Sequence, residues 1–407
     1  MRRNPAFTTG VGAIAVATLF SLAACSGDSG GGTASDGGDK DPYVIGYNDD
    51  LSGPISFAGL TNLAGVETYI DYINDQGGVN GHQIDLVKLD SRADGATSVS
   101  NYKQLVEDEG ALVVLGNSAS SAYAATGPLG EQYEVPMIGF GNADDFFTTY
   151  YPWLFKNGLV GTQQAELLAQ TVEQVRDDVD GLKVGILASD TASGPVHIDA
   201  VNEIAKEHGW EVVETQLVAI GATDCTAQAA KLAASGADII MSNVTSVGED
   251  IICFQQLEQR GFAGQVFNTV SSATENTYAT LKSPNWIGLR NFSWWEDDSV
   301  PGIVDMASRA EQFGTASQLG AYSTDGYIAA ILAVTALNAC GDDCTGTAVR
   351  DALEGLTDVD TGDIAGPGLG FTTGDLGHTT PQSRAYRWDD AEGKSVPVTD
   401  WLTVPGR

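Results

Sequence analysis

Three serines, Ser118, Ser120 and Ser121, follow an apolar run at Ala111–Leu115 and open a segment, Ala119–Tyr133, that reads as a helix despite Gly127 and Pro128 in its middle. A second apolar run, Val135–Phe140, ends in another loop of small residues, Gly141-Asn142-Ala143. In an open α/β sheet such strand-end loops lie side by side at the carboxyl edge, where ligands bind. A helix beginning there offers unpaired N–H groups and a positive dipole end, which suit a carboxylate. Capping accounts for one serine. Three serines beside an Asn-bearing loop favour a ligand site.

Catalytic patterns are missing from the sequence. Gly116-Asn-Ser-Ala-Ser120 ends in serine and is no nucleophile elbow, and neither His-Glu-x-x-His nor a Gly-x-x-x-x-Gly-Lys phosphate loop occurs. Gly366-Pro-Gly-Leu-Gly370 lacks the spacing of a nucleotide fingerprint and a helix after it. The adjacent acids Asp49-Asp50, Asp144-Asp145 and Asp297-Asp298 read as solvated loop charge. His82, His197, His208 and His378 read as turn or surface positions, so no base stands ready for a serine. The expectation is a protein that is no enzyme and needs no cofactor or metal.

The elements that would position these loops alternate regularly. Tyr43–Tyr47, Ile84–Leu89, Ala111–Leu115 and Val135–Phe140 read as strands, with helices over about Gly59–Asn74 and Ser98–Glu109 between them. The order then recurs: strands at Lys183–Ala188, Glu211–Leu217, Asp238–Met241 and Gln265–Asn268 alternate with helices at Val196–His208, Thr226–Ala234 and Glu249–Arg260. Two successive doubly wound α/β units predict two similar lobes. Apolar helices around Ala329–Leu337 and Ala348–Leu353 and a closing strand, Ser383–Trp388, follow.

Met1-Arg2-Arg3 and the apolar Val11–Ala24 read as an export signal over residues 1–25, too short to span a bilayer comfortably. Its end, Leu22-Ala23-Ala24-Cys25, resembles a bacterial lipobox, which implies a lipidated Cys25 and an anchor in the cell membrane. Residues 26–42 are a Gly/Ser/Asp-rich tether. A net charge of −34 argues against nucleic acid and anionic lipid as partners. Besides Cys25, four cysteines remain for an oxidising compartment, and of their three possible pairings Cys225–Cys253 with Cys340–Cys344 is the favoured one.

Leu51-Ser-Gly-Pro54, Ile73-Asn-x-x-Gly-Gly-Val-Asn-Gly81 and the serine-rich loop before Val135-Pro136 carry a family resemblance. The chain resembles the branched-chain amino-acid-type solute-binding proteins, extracytoplasmic receptors of ABC importers, from about Tyr43 to Trp388. The resemblance implies two Rossmann-like lobes, each a parallel sheet flanked by helices, joined by three hinge crossovers near Lys156–Leu159, Ile287–Phe292 and Thr361–Leu369. Lobe one would hold residues 43–157 and 287–360, lobe two 158–286 and 361–407. A small amino acid, organic acid or amide would be captured between them, and the partners would be a permease and an ATPase. A sensor signalling to a protein partner could use the same clamshell. Carried over by position, Ser120 and Ser121 hold a ligand carboxylate, Asn142 and Ala143 form the next carboxylate loop, and Phe57 lies against the ligand. Ser193 and Thr245 occupy lobe-two positions that are often aromatic, and Ser271 falls where binders of α-amino acids usually carry an acid. With Val270, Ser271 and Ser272 there instead, either Asp49, Asp50 or Asp190 reaches in, Glu275 takes the role from close by, or the ligand has no ammonium.

Overall fold

The computed structural model describes residues 40–141, 149, 152–191, 193–341, 343–372 and 377–404. Cys25, Asn142 and Ala143 lie outside them, as does the pair Asp144-Asp145.

Strand β1 (Tyr43–Asp49), helix α1 (Ser56–Asp75), β2 (Ile84–Asp90), α2 (Gly95–Lys103), β3 (Val113–Gly116), α3 (Ser120–Tyr133), β4 (Met137–Gly139) and β5 (Leu154–Lys156) build the first lobe. The second follows as α4 (Gly161–Val175), β6 (Lys183–Ser189), α5 (Ser193–Glu207), β7 (Glu211–Val218), α6 (Thr226–Ala234), β8 (Ile239–Asn243), α7 (Val247–Gln259), β9 (Gln265–Asn268), α8 (Glu275–Leu281) and β10 (Trp286–Arg290). Three helices come next, α9 (Pro301–Phe313), α10 (Ser323–Cys340) and α11 (Gly346–Glu354), then the short strands β11 (His378–Thr379), β12 (Gln382–Asp389), β13 (Lys394–Pro397) and β14 (Leu402–Thr403).

The first sheet has the order β11-β5-β4-β3-β1-β2 and is parallel throughout. The second runs β13-β12-β10-β9-β8-β6-β7, parallel from β7 to β10, with β12, β13 and β14 adding an antiparallel margin. Both are two α/β lobes of helix-flanked sheets. Central strands such as β3 and β8 are buried along their whole length, which is why they read as unbroken apolar runs.

Trp286–Arg290 is paired with β9 on one side and β12 on the other, so the chain leaves the second sheet just after Arg290, inside the expected Ile287–Phe292. One expected crossover is displaced. β11 pairs with β5, so the last crossing falls at Thr380-Pro381, well beyond Thr361–Leu369. Helix α2 starts earlier than Ser98 because the Asp94 carboxylate accepts from the Thr97 amide and caps it there. The histidines also differ from expectation. His82, His197 and His378 are buried, and burial pushes both His197 and His378 down to about 4. His378 stacks on Phe155 at 4.2 Å and fills core. Disulfides join Cys225 to Cys253, linking the starts and flanks of α6 and α7, and Cys340 to Cys344 at the end of α10.

Helix α10 is buried on nearly all sides and crosses α1 at backbone contact. A Cβ on Gly65 would sit 2.0 Å from the Ser323 carbonyl oxygen, and one on Gly326 would sit 1.9 Å from that of Asn62. Only glycine allows this approach, and it fixes Asn62 and Asp325 side by side under the cleft. Gly326→Ala must therefore push the helices apart, and a loss of about 1–3 kcal/mol is expected from the overpacking. Denaturant unfolding of the variant against wild type measures it.

Candidate functional site

A cavity of about 530 Å³ lies where the carboxyl edges of the two sheets face each other. Lobe one contributes Ile55 and Phe57 from the loop and helix after β1, Ser118, Ser120 and Ser121 after β3, and Phe140 after β4. Lobe two contributes Thr191 and Ser193 after β6, Thr245 after β8, and Val270 and Ser271 after β9. Lys156 at the end of β5, Asn291 after β10, and Tyr322 and Asp325 at the head of α10 complete the wall.

Buried acids set the lobe-one loops. The Asp49 carboxylate accepts from the Ser118 amide (2.9 Å) and hydroxyl (2.7 Å), from the Asp50 amide (2.8 Å) and from the Tyr47 hydroxyl (3.3 Å). Burial nonetheless raises it to about 6, the donors opposing that rise. Asp50 accepts from the amides of Ser52, Gly53 and Ile55 and closes the turn that leads into α1. Neither acid lines the cavity, and neither do Asp190 and Glu275. Ser118 spends its hydroxyl on Asp49, and the cap position of α3 is Ala119, which supplies no side-chain cap. The serines therefore do not serve α3 as its N-cap.

On the lobe-two side the Ser189 hydroxyl accepts from the Thr245 amide at 3.0 Å, and the Thr191 and Ser193 hydroxyls lie 3.0 Å apart. This wall is neutral and hydroxyl-rich.

The charged groups sit at the junction. Asp325 takes Arg290 at 2.8 Å and the Asn291 amide group at 3.1 Å, while its backbone carbonyl accepts from Asn157 at 2.6 Å. Arg290 is 1% exposed and also donates to the carbonyls of Ala273 and Ala321. Lys156 is likewise 1% exposed; it donates to the Phe140 carbonyl at 2.7 Å. Desolvation drops its ammonium from the ordinary 10.5 to about 7, with Asp325 pulling the other way.

The model of the periplasmic binding protein family matches residues 42–394. The chain belongs to that family. Among curated relatives it is similar to a Leu/Ile/Val-binding protein homolog of Brucella abortus, 24% identical over 366 residues, which cover 86% of this chain and 89% of that one. Among solved structures it superposes on a branched-chain amino acid ABC transporter protein of Thermus thermophilus with bound valine, at 20% identity and a TM-score of 0.77, covering 90% of this chain and 98% of that one. It also superposes on a solute-binding protein of an ABC transporter from Rhodopseudomonas palustris in complex with p-hydroxybenzoic acid, at 18% identity and a TM-score of 0.74, covering 89% and 97%.

Of the residues singled out in the sequence, Phe57, Ser120, Ser121, Ser193, Thr245 and Ser271 come together on this family member's cavity wall. Asn142 and Ala143 fall outside the described residues. Sequence reasoning missed Asn62, Lys156, Asn291, Tyr322 and Asp325. Lys156 ends a strand of only three residues, too short to register as a pattern, although a lone lysine in Leu-Phe-Lys was a visible oddity. Asp325 is the one acid in an otherwise apolar helix, a signal that could have been read.

Two predictions follow from the junction. Asp325→Ala leaves Arg290 buried without its carboxylate and is expected to cost about 3–5 kcal/mol in denaturant unfolding. For Lys156, the folded value lies below the unfolded one, so the burial penalty is fully present below pH 7, fades between there and 10.5 as the folded chain gives up its proton first, and is gone above. Ligand-free Lys156→Met is therefore expected to melt higher than wild type at pH 6 and level with it near pH 10.5, in melting curves across that range.

Proposed function

We propose that this protein is the extracytoplasmic solute-binding receptor of an ABC importer, and that it captures a small carboxylate- or amide-bearing solute in the cavity between its lobes. The observation that carries the reading is the cavity itself: both sheets contribute their carboxyl-edge loops to one space of about 530 Å³, within the usual range for a small-molecule site. Family membership and the similarity to solute-binding and ABC transporter proteins of known structure support it. Ligand docks on the serine loops of lobe one, and the hydroxyls of Ser193, Thr245 and Ser271 complete the cage as the lobes close about the crossovers. Lipid attached to Cys25 holds the receptor beside its permease and ATPase, which raises the effective concentration of the pair. No helix among the described residues is long and apolar enough to cross a membrane, so in this reading the anchor is the lipid.

The two similar structures point two ways, since valine carries an ammonium and p-hydroxybenzoate does not. The lack of an acid at Val270–Ser272 favours a ligand without one. A thermal-shift screen with amino acids, amides, aromatic acids and polyols tests the reading. A true ligand at a hundred times its dissociation constant should stabilise the protein by about 2.7 kcal/mol. Ser121→Phe places a ring in the cavity from an exposed helix turn, so it should fold normally and lose that shift. No shift with any compound would count against the receptor reading.

A further inference from the structure

We propose that Lys156 selects the ligand, its ammonium serving as the counter-ion of a carboxylate on an aromatic or apolar acid that carries no ammonium of its own. This rests on the cavity being the ligand site.

The balance of charge carries the argument. Among the described residues that line the cavity, Lys156 is the one cation and Asp325 the one carboxylate. Asp325 is already spent on Arg290 and Asn291, and the other acid near Arg290, Glu275, does not line the cavity and is not among the charges that act on Lys156. One of the three Lys156 donors goes to the Phe140 carbonyl, and the others have no partner among the described residues. A ligand ammonium would oppose the protonation of Lys156 and find no free carboxylate on the described cavity wall to receive it. Asp49 is held by Ser118, Asp50 and Tyr47, and Asp50 by three backbone amides. A ligand carboxylate completes the set instead, taking Lys156 and the serine loop together. The apolar and aromatic part of the wall comes from Phe57, Phe140, Tyr322 and Val270. The Asn62 Oδ1 atom, in a side chain 2% exposed, has no partner among the described residues and is available to a hydroxyl or N–H on the ligand.

Binding of such an acid moves a proton. The charged group acting on Lys156 is Asp325 on α10, with Arg290 of β10 on that carboxylate's other side. Tyr322 donates its hydroxyl to Ser271, and on neighbouring β11 His378 faces Glu354 at 3.3 Å. None of these supplies a free negative charge to Lys156. A lysine brought down to about 7 is mostly neutral at pH 8 and takes up a proton when a carboxylate docks against it.

The test is isothermal calorimetry on the full chain as wild type, Lys156→Met and Lys156→Arg. The panel is benzoate, 4-hydroxybenzoate, phenylacetate and 4-methyl-2-oxopentanoate, with the amide of each and with leucine and valine. Wild type should bind at least one acid about 100-fold more tightly than its amide, a charge-assisted bond being replaced by a neutral one in a desolvated site. Lys156→Met should lose about 100-fold for the acid and little for the amide, with Lys156→Arg falling between. At pH 8 the wild-type enthalpy should vary with the ionisation enthalpy of the buffer, reporting proton uptake, and this dependence should vanish in Lys156→Met and at pH 5.5. If Lys156→Met weakens acid and amide equally, or neither, while Ser121→Phe still abolishes binding, Lys156 does not select and the receptor reading stands. Tighter binding of leucine or valine than of any acid overturns the proposal as well. Binding of nothing in the panel removes the ligand class, and the wider thermal-shift screen then decides the receptor reading separately.

Discussion

The buried ion pair between Arg290 and Asp325 is the constraint on which the rest of this structure depends. Arg290 ends the last strand that the second lobe contributes before the chain returns, and Asp325 stands in the first turn of the helix at the heart of the first lobe. Asn291 and Asn157, each just beyond a strand at which the chain changes sheet, bond to the same aspartate. Gly158 is pressed against Asn291 so closely that a Cβ there would lie 2.4 Å from its side-chain nitrogen. Two crossovers and one helix therefore meet on a single aspartate, one through its backbone carbonyl and one through its carboxylate. A pair this deep contributes little net stability, because desolvation offsets the attraction. What it supplies is geometry: the two lobes are pinned at one point beneath the cavity.

That pin also decides what the cavity can recognise. The chain as a whole is strongly acidic, at −34, yet Asp325 is spent on Arg290, and Lys156 is the one cationic side chain among the described residues that line the cavity. Long-range attraction cannot bring an anion to such a protein, since the acidic surface opposes it and salt screens both beyond about 8 Å. Discrimination must come from short contacts made after entry, where the dielectric is low and each donor counts for more. An acidic surface for solubility and a locally cationic site are compatible because they act over different distances.

The fold was largely legible in the chain because its signals are local. Strands such as Val113–Gly116 and Ile239–Asn243 are buried on both faces and announce themselves as apolar runs, and the βαβ order forces parallel pairing. The serine loop was legible for the same reason: it sits at a strand end in sequence as well as in space. Lys156, Asn291 and Asp325 were not, because what brings them together is a meeting of segments 34 to 168 residues apart at the crossovers. The last crossover was misplaced for a related reason. β11 has two residues, and nothing in His378-Thr379 marks them as part of the first sheet until β5 is seen beside them. Buried histidines misled in the opposite sense. A lone histidine is a polar residue by composition, but His378 stacks on Phe155 and His197 fills a helix–sheet interface, where desolvation keeps both neutral.

The two walls of the cavity divide the work that the proposed cycle requires. Charge stands on the first lobe and the junction, at Lys156 and Asp325, whereas the second lobe offers the neutral hydroxyls of Thr191, Ser193, Thr245 and Ser271. A ligand can favour closure only by the free energy of the contacts that it makes in the closed state and not in the open one. Here those contacts are neutral hydrogen bonds, each worth about 0.5–1.5 kcal/mol net. Recognition on the first lobe can therefore be selective while closure stays shallow, and a shallow closure is one that a transporter can reverse. Had the ion pair with the ligand lain on the second wall, opening would have required breaking it in a desolvated cleft, at a cost of several such bonds. In the proposed cycle, a lysine on the first lobe keeps selectivity and release from opposing each other.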